Sequence, residues 1–168
     1  MSLQFENANR EDLFEIWGII QDAIARRKAD GSNQWQDGYP NPQVLENDIN
    51  LGYGFVLKKD NEIIGYVAIL INNEPQYDDI NGKWLSTGDF VVFHRIAISS
   101  ARLGKGYAKE LFTHIHNYAH FLGVKSVKAD TNFDNDAMLT LFQKMGYTYC
   151  GEVQINGSPR RAYEIILD

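Results

Sequence analysis

The chain has 168 residues, of which 44% are hydrophobic and 12% aromatic, a composition that predicts a folded domain with a sizeable core. Its formal net charge is −6, and Lys and Arg are spread along the sequence, so the charge pattern does not support a nucleic-acid groove. The single cysteine, Cys150, excludes an internal disulfide, and no apolar run reaches the roughly 18 residues that a membrane helix needs.

The sequence shows no boundary that would divide it. It contains no internal repeat, low-complexity segment or linker, so we predict that residues 1–168 form a single domain. The segment MSLQFENANR has neither the basic flank nor the apolar run of a secretion signal. Together with the lone cysteine, this predicts a reducing, cytoplasmic location, with no membrane and no nucleic-acid partner.

The first half of the sequence predicts strands and two helices. Apolar residues recur at helical spacing in the first long segment, and Gly31–Pro42 is dense in Gly, Pro, Asn and Asp, which is typical of a loop. Two runs rich in β-branched residues flank Lys59–Asn61 and predict an antiparallel hairpin. The predicted elements are a strand at Leu3–Glu6, helices at Glu11–Arg27 and Pro42–Asn50, and strands at Phe55–Lys58 and Glu62–Ile71.

The second half alternates between strand and helix patterns before a closing hairpin. Asn72–Gly88 is polar and predicts a surface loop, and Gly123 and Gly146 end two helical patterns. The predicted elements are strands at Asp89–Ile98, Ser126–Thr131, Tyr147–Ile155 and Arg161–Leu167, and helices at Tyr107–Leu122 and Asn135–Met145. This order predicts an α+β domain on a mixed, mostly antiparallel sheet with helices on both faces.

The junction IAISSARLGKGYAKEL joins a strand, a turn with two glycines and a helix. Gly104 and Gly106 would let the backbone approach an anion, and the first N–H groups of the helix would point at it. Lys105 and Arg102 would add positive charge to this site in an acidic protein. The local pattern leaves two interpretations open, a pyrophosphate site or merely a tight turn.

Two other phosphate-binding patterns do not fit this junction. A Walker loop needs Ser or Thr after Gly-Lys, but Gly106 follows Lys105. A dinucleotide fingerprint needs a third glycine where Lys109 stands, although Asp130 matches the ribose-binding acid tolerably. Antiparallel strands also precede the turn, whereas dinucleotide domains begin with it. A nucleotide-dependent oxidoreductase is therefore the less favoured alternative.

Two motifs connect the sequence with a known family. A strand reading HRIAIS is followed by Gly106 and Ala108, and NDAMLTLFQKMGY runs from Asn135 to Tyr147. In these motifs, and over the whole chain in the order of its elements, the sequence resembles the GNAT superfamily of N-acetyltransferases. It departs from the family pattern at Leu103, which stands where Gln or Arg is usual, with Arg102 one place early.

The resemblance implies a GNAT-like fold and an acetyl-CoA site. In the family, the strand before the turn pairs with the pantetheine arm, and the turn holds the pyrophosphate through its backbone N–H groups. Two parallel strands, here Phe90–Ile98 and Ser126–Thr131, separate to admit the thioester. The implied coenzyme residues are Ile96, Ala97, Ile98, Leu103, Gly104, Lys105, Gly106, Tyr107, Ala108 and Asn135.

The resemblance also implies direct attack of an amine on the thioester, with the N–H of Ile96 or its neighbour stabilising the oxyanion. Phe142 stands where the family commonly has a Tyr that protonates the leaving thiolate, so we expect Phe142 to pack rather than react. His94 stands where a Glu often accepts the amine proton. An imidazole could perform this role, and a structural histidine is the alternative interpretation.

Trp35, Gln36 and Tyr39 lie in a loop that borders the acceptor site in the family, so they either line that pocket or anchor the loop. Acidic residues in neighbouring loops, Asp37, Glu74, Asp78 and Asp79, favour a small cationic acceptor with a primary amine, and a peptide acceptor is also open. No metal is expected, and a homodimer stays open. The alternative function is an acetyl-CoA-binding sensor or scaffold without strong catalysis.

Overall fold

The computed structural model describes residues 2–168. The helices are α1 (Leu13–Ala29), α2 (Pro42–Asn50), α3 (Tyr107–Phe121) and α4 (Asp136–Lys144). The strands are β1 (Leu3–Asn7), β2 (Gly54–Lys59), β3 (Glu62–Ile71), β4 (Asn81–Gly82), β5 (Phe90–Ile98), β6 (Ser126–Thr131), β7 (Thr148–Ile155) and β8 (Ser158–Ile166). Most predicted elements are confirmed to within a few residues.

The strands follow the order β1-β2-β3-β5-β6-β8-β7-β4 in the sheet. β5 and β6 are parallel, and β1 with β2, β2 with β3, β6 with β8, β7 with β8 and β4 with β7 are antiparallel. The parallel pairing joins Phe90–Val92 to Ser126–Lys128 and goes no further along either strand. The predicted α+β class with a mixed, mostly antiparallel sheet is therefore confirmed.

The chain forms two compact units, and the boundaries fall within β3, β5 and α3. The first unit comprises the chain up to Ile69 together with Arg95–Leu111. Apolar residues recur at helical spacing along α1 and give it one apolar face. This face packs against inner residues of α2 and of the hairpin formed by β2 and β3, which makes the core of this unit. Fully buried members of this core are Ile16, Ile20, Leu45, Val56 and Tyr66.

The second unit comprises Leu70–His94 and Phe112–Asp168. Part of its core is a cluster of aromatic rings from β5, α3, α4, β7 and β8. The Phe142 ring stacks on Tyr163 with centroids 4.5 Å apart and meets Phe112 edge to face at 5.9 Å. Phe142 is fully buried. Packing in this cluster is the role that the structure shows for Phe142.

The polar segment before β5 is more ordered than the sequence predicted. It contains a short 3₁₀ helix at Pro75–Asp79 as well as β4. The buried carboxylate of Glu164 accepts hydrogen bonds from the Leu85 N–H at 2.7 Å and the Ser86 hydroxyl at 2.5 Å. Because Glu164 lies far along the sequence from this segment, no local pattern predicts these contacts. The strand β4 has only two residues, which is too short to show an alternating pattern.

Candidate active site

Hydrogen bonds with β3 and α1 hold the end of β5 and the turn after it. The Ser99 N–H donates to the Ile64 carbonyl at 2.8 Å. Arg26 donates to the Ser100 hydroxyl at 2.7 Å and to the Ile98 carbonyl at 3.4 Å. β3 and α1 therefore fix the chain at the point where it leaves the strand.

Next comes an exposed stretch of backbone, Leu103–Gly106, which we call the glycine loop. Gly104 and Gly106 have φ values of +73° and +84°, and no atom lies within 4 Å of the point where a Cβ would stand on either. Within residues 2–168 the N–H groups of the glycine loop donate no backbone hydrogen bond. The loop therefore presents N–H donors at the start of the 15-residue helix α3, where its dipole favours an anion.

The side chains around the glycine loop differ in their contacts. Leu103 is 43% exposed, and its use through the backbone alone stays a prediction. Lys105 is exposed, whereas Arg102 forms an ion pair with Glu62, so part of its charge is already neutralised. The Lys59 ammonium donates to the Tyr107 hydroxyl at 2.6 Å. Lys105 is thus the better placed of the two predicted cations to meet an anion.

Within β5, Ile96 is half-buried, and Ala97 and Ile98 are buried. Arg95 precedes them with a φ of +55°, a left-handed conformation that is unusual in a strand. Its guanidinium makes a bidentate contact with Asp48 of α2, at 2.9 Å from Nε to Oδ2 and 2.7 Å from Nη2 to Oδ1. The sequence analysis did not single out this pair.

Two tyrosines complete the contacts of this ion pair. Arg95 Nη1 donates to the Tyr39 hydroxyl at 2.6 Å, and the Tyr66 hydroxyl donates to Asp48 Oδ2 at 2.7 Å. The side chains of Arg95 and Asp48 are only 11% and 2% exposed. Burial and the Asp48 carboxylate raise the pKa of Tyr66 well above its ordinary value, so Tyr66 remains a donor.

The three residues predicted to border the acceptor have different surroundings. Trp35 packs against the core of the first unit. The Gln36 amide donates to the carbonyls of Ile24 at 2.9 Å and Gln34 at 3.0 Å, which ties the loop to α1. Tyr39 is held through its hydroxyl by Arg95. All three anchor the loop in the structure, and their contact with an acceptor stays a prediction.

His94, the last residue of β5 in the second unit, faces a carboxylate. Its Nε2 lies 2.9 Å from Glu74 Oε2, and the two side chains are 18% and 15% exposed. The ring therefore lies beside a carboxylate, although Nε2 is a buried atom with no hydrogen-bond partner within residues 2–168. Glu74 was predicted only as one of four acidic loop residues, and the other three, Asp37, Asp78 and Asp79, are exposed.

Asn135 is the N-cap of α4. Its side-chain oxygen accepts a hydrogen bond from the Met138 N–H at 3.2 Å, which caps the helix. Capping alone explains an asparagine at this position. The pantetheine contact implied by the family resemblance therefore stays a prediction.

Other chemically suggestive residues have structural partners. Asp130, the candidate ribose-binding acid of the oxidoreductase alternative, accepts from the Tyr77 hydroxyl at 2.5 Å and is 4% exposed. His116 Nε2 lies 2.7 Å from the Tyr147 hydroxyl, and burial lowers the pKa of His116. Burial also raises the pKa of the Cys150 thiol to about 11, so the thiolate is scarce at neutral pH. The contact made by Asp130 weakens the oxidoreductase alternative.

The model of the acetyltransferase (GNAT) family matches residues 11–147. The chain therefore belongs to this family, and acetyl transfer is its class of reaction. A GNAT-family acetyltransferase structure from Streptococcus agalactiae is 34% identical, with a TM-score of 0.92 over 99% of this chain and 96% of that one. The structure confirms the fold that the sequence resemblance implied.

Two further relatives extend the comparison. An uncharacterised N-acetyltransferase, YesJ of Bacillus subtilis (strain 168), is 26% identical over 145 residues, which cover 84% of this chain and 79% of that protein. A chain of the NatC complex bound to Gag peptide and CoA shares the fold, with 14% identity, a TM-score of 0.70 and full coverage of both chains. Across residues 2–168, no helix is long and apolar enough to cross a membrane.

Proposed function

We propose that the chain transfers the acetyl group of acetyl-CoA to a primary amine by direct attack. The observation that carries this proposal is the glycine loop, whose exposed N–H groups precede α3 and have no backbone acceptor within residues 2–168. A pyrophosphate is the coenzyme group that such donors suit, since they remain available whatever side chain stands at Leu103. Membership of the acetyltransferase family supports the assignment.

When bound, acetyl-CoA supplies the activated acyl group. We assign the backbone of Ile96–Ile98 to the pantetheine arm and Leu103–Ala108 to the pyrophosphate. The N–H of Ile96 or of a neighbour donates to the oxyanion of the tetrahedral intermediate. His94 takes the proton that the attacking amine releases, and the nearby Glu74 carboxylate stabilises the imidazolium.

The leaving thiolate has no protein acid at the position of Phe142. This side chain has no proton to give and is fully buried among aromatic rings. We propose that the thiolate, a good leaving group, departs unassisted or takes its proton from water. The reaction is then asymmetric, with a residue that accepts the amine proton but none at this position that protonates the sulfur.

The acceptor proposal is a small cation with a primary amine, and the acidic residues that the sequence places in its loops are the reason for it. A peptide acceptor is the second candidate, because a peptide accompanies CoA in the NatC complex that shares this fold. The single domain, the cytoplasmic location and the absence of metal, membrane and nucleic-acid partners stay predictions, and a homodimer stays open.

Ligand-dependent melting and turnover test this proposal together. Acetyl-CoA at about 100 times its Kd should stabilise the fold by roughly 2.7 kcal/mol, and NAD should not. Thiol release from acetyl-CoA is then followed with spermidine, kanamycin, L-methionine and a tripeptide, and at least one should accelerate it. Stabilisation without thiol release would favour the sensor alternative, and stabilisation by NAD alone would favour the oxidoreductase.

A further inference from the structure

The ion pair of Arg95 and Asp48 joins three parts of the first unit. Arg95 belongs to β5, Asp48 to α2, and Tyr39 to the loop 31–42 between α1 and α2. The Asp48 carboxylate accepts from two nitrogens of Arg95 and from the Tyr66 hydroxyl. Arg95 uses its remaining Nη1 on the Tyr39 hydroxyl, 2.6 Å away. This last hydrogen bond connects β5 with loop 31–42.

The arrangement is specific to arginine. A planar guanidinium can bind a carboxylate through two nitrogens while a third nitrogen reaches a different acceptor. A lysine ammonium in the same buried place could not keep all three contacts. Removing either charge would leave its partner buried and unpaired, since Asp48 is only 2% exposed. Loss of either Arg95 or Asp48 should therefore destabilise the fold strongly.

The backbone of Arg95 adds a second observation. Its φ of +55° is costly for a residue with a long side chain, and such a conformation persists only where the surroundings impose it. The side-chain contacts with Asp48 and Tyr39 supply that restraint. Arg95 thus fixes the backbone directly before Ile96, whose N–H we assign to the oxyanion, and the position of Tyr39 at the same time.

We propose that Arg95 is a positioning residue for the acceptor: by holding Tyr39, it keeps loop 31–42 in the conformation that receives the amine. The inference rests on the proposed acetyl transfer and on the assignment of this loop to the acceptor. It extends them, because it names the side chain that couples the acceptor loop to the strand carrying the reacting backbone. Tyr39 acts through this contact and not only through its ring.

The test compares Tyr39→Phe, which removes only the hydroxyl, with Arg95→Lys and with the double variant. We expect Tyr39→Phe to raise the acceptor KM about tenfold, the scale of one charge-assisted hydrogen bond, with kcat changed less than about twofold. The acetyl-CoA Kd should not change. Amide hydrogen exchange should rise in residues 31–42 and stay constant in β2. Tyr149→Phe, at a tyrosine that is 46% exposed, is the matched control.

The double variant separates a shared contact from two independent ones. If Tyr39 acts through Arg95, adding Tyr39→Phe to Arg95→Lys should not raise KM further, whereas independent roles would multiply the two effects. An unchanged KM and unchanged exchange in Tyr39→Phe would overturn the inference, as would a parallel rise in the acetyl-CoA Kd. If no panel amine is acetylated, the proposed function fails, and this role of Arg95 fails with it, whatever the exchange data show about the loop.

Discussion

The glycine loop and loop 31–42 are both built from polar and glycine-rich sequence, but they are held in opposite ways. The glycine loop exposes its backbone N–H groups. The side chain of Leu103, which departs from the family pattern, is exposed rather than buried. Loop 31–42 is fastened by side chains, with Trp35 in the core and Gln36 and Tyr39 in hydrogen bonds. A site made of backbone N–H groups tolerates a change of side chain, whereas a loop that is held in place by its side chains does not.

The largest expected effect is on turnover and concerns His94, where a side chain carries the chemistry. His94→Ala should lower kcat by roughly 10²- to 10⁴-fold, the usual contribution of a general base, and leave acetyl-CoA affinity unchanged. Steady-state kinetics for kcat and a binding titration for the acetyl-CoA Kd provide the measurements.

Two variants control the His94 experiment. Glu74→Gln keeps the size of the side chain but removes the charge 2.9 Å from Nε2, so we expect a smaller loss of kcat than for His94→Ala. His120→Ala, at an exposed position of α3, should have no effect. A His94→Ala enzyme that retains nearly full turnover would show that His94 is structural.

The next effect is on coenzyme affinity and tests the backbone side of the comparison. Gly106→Val should raise the acetyl-CoA Kd about 10- to 100-fold, because a side chain at φ +84° is strained and blocks the approach of the pyrophosphate. Leu103→Ala should change the Kd less than about twofold. Isothermal titration calorimetry measures both, and Gly106→Ala substitutes if the valine variant does not fold.

Gly157 offers a matched control for the strain itself. It has a φ of +78° and equally open surroundings, in the turn of the closing hairpin. Gly157→Val should therefore have a similar cost in stability while leaving the acetyl-CoA Kd unchanged. Equal losses of affinity from Gly106→Val and Leu103→Ala would contradict the backbone mechanism.

The smallest effect concerns the missing acid. Phe142→Tyr should raise kcat no more than a few-fold, since the thiolate leaves without help, and it should destabilise the fold by about 1–3 kcal/mol because the new hydroxyl is buried among rings. Urea denaturation and kcat give the two quantities. Phe121→Tyr, at a ring that is 83% exposed, is the control. A large gain in kcat would mean that protonation of sulfur limits the reaction.

The elements that the sequence predicted well are those with local causes. The N-cap Asn41 and a proline in the first turn place α2 at Pro42–Asn50, and the positive φ values of Asn156 and Gly157 close the predicted hairpin. The glycine loop was predicted for the same reason, because glycines at a strand-to-helix turn are a local signal. These features depend on neighbouring residues only.

The parts that the sequence did not predict depend on distant residues. Asp48 and Arg95 are 47 positions apart, so no local pattern connects them, and Glu74 meets His94 only through the path of the segment before β5. One signal was available for the first pair. Asp48 follows Leu45 by three positions on the buried face of α2, and a charge on such a face requires a partner.

The central claim is that the backbone of the glycine loop binds the coenzyme. An NMR titration of the ¹⁵N-labelled protein with acetyl-CoA tests it most directly, because it follows each amide separately. The amides of Leu103, Gly104, Lys105 and Gly106 should shift most, with saturation at one equivalent, and NAD should leave them in place. Saturation by acetyl-CoA with these four amides unmoved would contradict the account.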